Sequence, residues 1–132
     1  MRGLTGLFAL LALGLAIAHP TAAHAKNKYV RSFVDAAIKE QQALMALHPA
    51  LVQVDFAIRR DCASKASGRL AESSYCRCAA AVTMQLWRSG MDPNMLPRLS
   101  DYLRDPTEAA AEDLLRYQGP ELYRPSCDDG TE

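Results

Sequence analysis

Ser73-Ser74-Tyr75-Cys76-Arg77-Cys78-Ala79-Ala80, continuing through Thr83, Leu86 and Trp87 to Gly90, is the stretch that decides the fold. A serine at 73 or 74 caps a helix by accepting an amide from its first turn. Apolar positions then recur every three or four residues, and Gly90 suits a left-handed stop. On such a helix, residues i and i+2 differ by about 200° of rotation. Cys76 and Cys78 therefore face different neighbours and are not expected to bond to each other.

Upstream, Pro49 to Ala66 reads as a helix with Leu51, Val54, Phe56, Ile58 and Cys62 on its apolar side. Between it and the first stretch lies Ser64 to Ser74, rich in Ser, Gly and Ala, where Gly68 marks a turn. An antiparallel hairpin of these two helices brings Cys62, near the end of one, to Cys76, near the start of the next, and leaves Cys78 for Cys127. Spacing alone does not fix connectivity, so Cys62 with Cys78 and Cys76 with Cys127 stays open beside this preferred pairing.

Farther out, Asn27 to Leu47 places Val30, Phe33, Val34, Ala37, Ile38, Leu44, Met45 and Leu47 at helical spacing, with Gln41 as the one polar exception, and His48-Pro49 ends the run. Downstream, Asp92-Pro93 and Asp105-Pro106 read as an N-cap followed by a first-turn proline, the second reinforced by Glu108 as in a capping box. They open a helix carrying Leu96, Leu99, Tyr102 and Leu103 and another carrying Ala109, Ala110, Leu114 and Leu115, which stops at Gly119-Pro120. Pro120 to Tyr123 is expected to add one more turn before the tail returns Cys127 to the body. No segment alternates with strand period. The expected fold is all-α, a small bundle of about five helices stapled by two disulfides, with no sheet.

Residues 1–25 have the three parts of a cleavable signal peptide: Arg2, an apolar run from Leu4 to Ala18, and small residues ending at Ala23-His24-Ala25. The run falls short of the about 20 residues a membrane-spanning helix needs. Residues 26–132 are then expected to be one exported, disulfide-bonded domain, periplasmic or secreted, with no membrane insertion after cleavage. The chain holds 15 Lys+Arg against 15 Asp+Glu, of which only Arg2 lies in the leader. Such balance disfavours nucleic acid and anionic lipid as partners and suits a protein or small molecule.

Candidate chemistry is thin. Cys76-Arg77-Cys78 near a helix start is the one redox-like motif, because a helix dipole and a neighbouring arginine lower a thiol pKa. Together with Met84, Met91 and Met95 it could serve thiol exchange or copper handling, but structural cysteines and packing methionines are the plainer account. Neither CxxCH nor GxSxG occurs, and His48 sits before a proline at a helix end. Glu108, Glu112 and Asp113 suit dipole complementation at a helix start better than acid catalysis. No catalytic residue, metal or cofactor is expected. Arg59, Arg60, Arg116, Tyr117, Tyr123 and Arg124 are the candidate partner-binding residues, since Arg and Tyr are enriched at the centres of protein contacts. The expected function is a non-enzymatic protein-binding module of the cell envelope: an inhibitor, immunity factor, adaptor or assembly factor. The alternatives to it are a thiol-exchange or copper-handling protein using the CxC segment and a structural envelope protein.

Overall fold

The computed structural model describes residues 28–65 and 69–130. The expected leader at 1–25 and the turn at Gly68 lie outside them. The described residues are helical and carry no strand: α1 (28–47), α2 (Leu51–Lys65), α3 (Ser74–Ser89), α4 (Met95–Arg104), α5 (Glu108–Leu115) and α6 (Pro120–Gly130). The bundle thus has one helix more than the sequence pattern suggests.

The extra helix is α6. It runs through Pro125, whose ring removes an amide from the helical ladder, so sequence alone favours only a short turn here. Tyr123 and Cys127, one turn apart, are both buried against the middle of the protein, and this shared apolar face holds the segment helical with Pro125 on the solvent side.

At the centre stands α3, in contact with α2, α4 and α6. It is buried nearly all round: Tyr75, Cys76, Cys78 and every residue from Ala79 to Met84 are hidden, as is Trp87. The run Ala79-Ala80-Ala81 gives its neighbours short side chains to approach. The Ser73 side chain accepts from the Cys76 amide at 3.2 Å, and Gly90 closes the helix at φ 77°.

Two clusters make up the core. Toward the end of α3, Trp87 and Met84 pack with Leu51, Val54 and Ile58 of α2, Met95, Leu99 and Tyr102 of α4, and Leu114 of α5. Toward its start, Cys76, Cys78 and Val82 pack with Val34 of α1, Cys62 of α2, and Tyr123 and Cys127 of α6. Both disulfides lie in this second cluster. Cys62 joins Cys76 with Cα atoms 5.6 Å apart, and Cys78 joins Cys127 at 5.8 Å, which is the preferred pairing and not the swapped one.

Several boundaries and faces differ from the sequence pattern. Helix α4 is preceded by a turn in which the Asp92 carboxylate accepts from the Asn94 amide at 3.0 Å, so it starts at Met95 with Asn94 in the cap position. Asp105 ends α4, because the residue before a proline is driven out of helical geometry, and it does not cap α5. The α5 cap is Thr107, whose hydroxyl accepts from the Ala110 amide at 3.1 Å. Phe33, Leu47, Phe56 and Leu96, expected to be buried, are exposed. In α1 the hidden line is Val34, Ala37 and Gln41, which rotates the face away from Phe33 and Leu47. In α2 it is Leu51, Val54, Ile58 and Cys62, with Asp55 and not Phe56 beside it.

Candidate functional site

Asp55 is an unusual core neighbour: a carboxylate only 7% exposed. Its burial is tolerated because both oxygens accept hydrogen bonds, one from the Gln41 amide at 2.6 Å and one from Arg59 Nε at 2.9 Å. The Arg59 guanidinium also reaches the Ala71 carbonyl at 3.4 Å, tying α2 to the segment that leads into α3. The polar exception in the α1 pattern thus meets a carboxylate on α2, and Arg59 is held in place by that carboxylate.

This network lies in a groove of about 610 Å³ between α1, α2 and the start of α3. Ile38 and Met45 of α1 supply apolar surface over the buried Val34, and Asp55 and Arg59 come from α2. Arg31 and Asp35 from α1 and Arg77 from α3 are exposed and also line it. The groove therefore presents apolar wall and three guanidinium groups against two carboxylates, one of which is engaged by Gln41 and Arg59. Beside it, the exposed face of α2 carries Phe56, 42% exposed, with the Arg59 and Arg60 guanidiniums 5.5 and 5.4 Å from its ring centroid.

Of the sequence candidates, Arg59 and Arg60 come together around Phe56. Arg116 and Tyr117 lie at the opposite end of the molecule, in a depression of about 480 Å³ also lined by Trp87, Met91, Met95 and Leu122. There Arg98 lies 4.7 Å from the Tyr117 ring centroid, and Trp87 Nε1 donates to the Tyr117 carbonyl at 2.8 Å. Tyr123 is 2% exposed, so it is a core residue and not a contact surface. Arg124 is exposed on α6, apart from both recesses. The six candidates form no single patch.

Arg31, Arg77, Gln41 and Asp55 were not among the candidate contact residues, Gln41 standing out only as a polar exception and Arg77 only within the CxC motif. Gln41 and Asp55 are 14 residues apart, and no local spacing announces their bond. The signal available was Gln41 itself, a polar residue inside an apolar stripe.

The sulfur motif is closed and buried. Cys62, Cys76, Cys78 and Cys127 are all at 0% exposure and all in disulfides. Around them Tyr75 forms a second junction: its hydroxyl donates to Asp128 at 2.5 Å, Arg69 lies 3.8 Å from its ring centroid, and Tyr123 meets it edge-on at 6.0 Å. Burial, with help from the Asp128 bond, pushes the Tyr75 phenol up to about 12. Burial likewise raises Tyr123 and Tyr102, whose hydroxyl donates to the Ala50 carbonyl at 2.6 Å.

Two disulfides suit an oxidising compartment, and among the described residues no helix is long and apolar enough to cross a membrane. Comparison with protein families, characterised proteins and solved structures finds no match for this chain.

Proposed function

We propose that the chain is an exported, non-enzymatic module, periplasmic or secreted, that binds another protein of the cell envelope in the manner of an inhibitor, immunity factor, adaptor or assembly factor. The observation that carries this reading is the exposed Phe56 with its two flanking guanidiniums, set beside the α1–α2 groove on a helix cross-linked to α3. Aromatic side chains and arginines dominate the energetics of protein contacts, and a contact surface held by a rigid frame loses little freedom on binding. Phe56 is kept in water although it lies on a helix that buries Leu51, Val54 and Ile58. That placement has a purpose if a partner covers it.

The sulfur-based alternative gains no support, since thiol exchange needs a sulfur that an outside thiolate can reach, and all four are enclosed. The test is a photo-crosslinking residue placed at Arg60 in cells making the protein. A discrete adduct with one protein, lost in Phe56→Asp, is expected; no adduct from position 60 or from position 31 removes the reading.

A further inference from the structure

The arginines of this protein divide into those already engaged and those left over. Arg59 pairs with Asp55 at 2.9 Å, Arg88 with Glu40 at 3.5 Å and Arg98 with Asp113 at 2.6 Å. Arg104 pairs with Asp101, Arg116 approaches Asp113 at 3.9 Å, Arg60 lies over Phe56 and Arg69 over Tyr75. Among the described residues, Arg31, Arg77 and Arg124 have no such partner. Arg31 comes from α1 and Arg77 from the first turn of α3, yet both line the same groove. Arg31 stands one helical turn from Asp35 without pairing with it.

We propose that the groove between α1 and α2 receives an acidic segment of the partner protein, with its carboxylates on Arg31 and Arg77 and an apolar side chain against Ile38 and Met45. This rests on the binding-module reading and deepens it by naming the face and the partner's chemistry. Of the two carboxylates in the groove, Asp55 already accepts from Gln41 and Arg59, so guanidinium charge is in excess there. Guanidinium groups hold carboxylates through paired, charge-assisted hydrogen bonds. An isolated carboxylate would satisfy the arginines and leave the apolar wall wet, whereas a peptide segment covers both. A flat lipid surface does not enter a concave groove of about 610 Å³.

The test uses the oxidised, isotope-labelled protein and a nine-residue peptide of alternating Glu and Leu, with a Lys-Leu peptide of the same length as control. Amide resonances of α1 and the first turns of α3 are expected to shift with the acidic peptide and not with the basic one. R31E/R77E should weaken that binding at least tenfold and R124E should leave it unchanged. Both replaced side chains are exposed, and Trp87 fluorescence checks that the variant is folded; R31Q/R77Q repeats the comparison without charge reversal. Equal binding of the basic peptide, no effect of either double variant, shifts at the Trp87 depression, or no shift at millimolar peptide would each overturn the proposal. So would the same shifts produced by phosphatidylglycerol vesicles, by free glutamate or by raising the protein's own concentration. If a partner crosslinked at position 60 is captured equally by R31E/R77E, the groove assignment fails while the module reading stands. If neither position 60 nor position 31 captures anything, the module reading itself fails.

Discussion

Two buried polar junctions are balanced on single residues, Asp55 and Tyr75. Removing the carboxylate in Asp55→Ala leaves Arg59 and Gln41 without their shared acceptor at a largely buried position, and should lower unfolding stability by about 2–3 kcal/mol in urea titrations. Gln41→Ala, which strips only a neutral donor, should cost about 1 kcal/mol. Tyr75 makes a pH prediction. Its phenol ionises near the ordinary value of 10 in the unfolded chain and near 12 in the fold, so the unfolded state gives up its proton first as pH rises. The stability linked to this proton is complete below pH 10 and is lost progressively toward about pH 12. Tyr75→Phe should therefore flatten part of the alkaline decline, the remainder belonging to Tyr102 and Tyr123, whose pKa values are also raised. An unchanged alkaline profile in the variant would contradict this. At this scale the sequence was only partly readable. Cys76 and Cys78 could be separated by helical rotation alone, but the Gln41–Asp55 bond joins two helices whose relative rotation no local pattern states, and Tyr123 resembled a contact residue until α6 turned it inward.

Elements with strong local punctuation were the ones legible in advance. Ser73 and Gly90 bracket α3 as their chemistry dictates. Gly90 holds φ 77° with nothing within 4 Å of an added Cβ, so Gly90→Ala should cost about 1 kcal/mol in thermal or urea unfolding from backbone strain alone. The Asp-Pro pairs misled because each dipeptide serves two purposes: Asp105 can open a helix or close the one before it, and here it closes α4 while α5 takes its cap two residues later at Thr107. Helix α6 was hidden for the opposite reason. Its proline argues against a helix, and only packing against α3 decides the matter. That dependence is testable: with Cys78 and Cys127 both changed to serine, amides of α6 should exchange with solvent faster than those of α2 to α5. The variant should also lose about 4 kcal/mol of stability by loop entropy, the bridge closing a separation of 49 residues.

Across the whole molecule the two means of stabilisation are segregated. Both disulfides sit in the cluster around Val34, Cys62 and Tyr123, while the cluster around Trp87 holds no disulfide and is built on large apolar side chains. The fold class and the covalent frame could be argued from periodicity and cysteine placement; the groove could not, since it is a gap lined by residues of three helices, spread along the chain from Arg31 to Arg77. Trp87, the single tryptophan and 1% exposed, reports on the uncrosslinked half. In the Cys78→Ser, Cys127→Ser protein without denaturant its emission should stay blue-shifted while α6 loosens, and a red shift on removal of that bridge alone would contradict the segregation. The order of the cysteines along the chain has a consequence for biogenesis. Each bridge joins neighbours in sequence order, the first cysteine with the second and the third with the fourth. A chain threading amino terminus first into an oxidising space would present Cys62 and Cys76 together, and a dithiol oxidase acting on thiols as they emerge would form the native bridges in turn. The one hazard is the interval in which Cys78 has arrived and Cys127 has not. Early closure of α3, which turns Cys78 away from Cys62, is what would guard that interval without help from a disulfide isomerase.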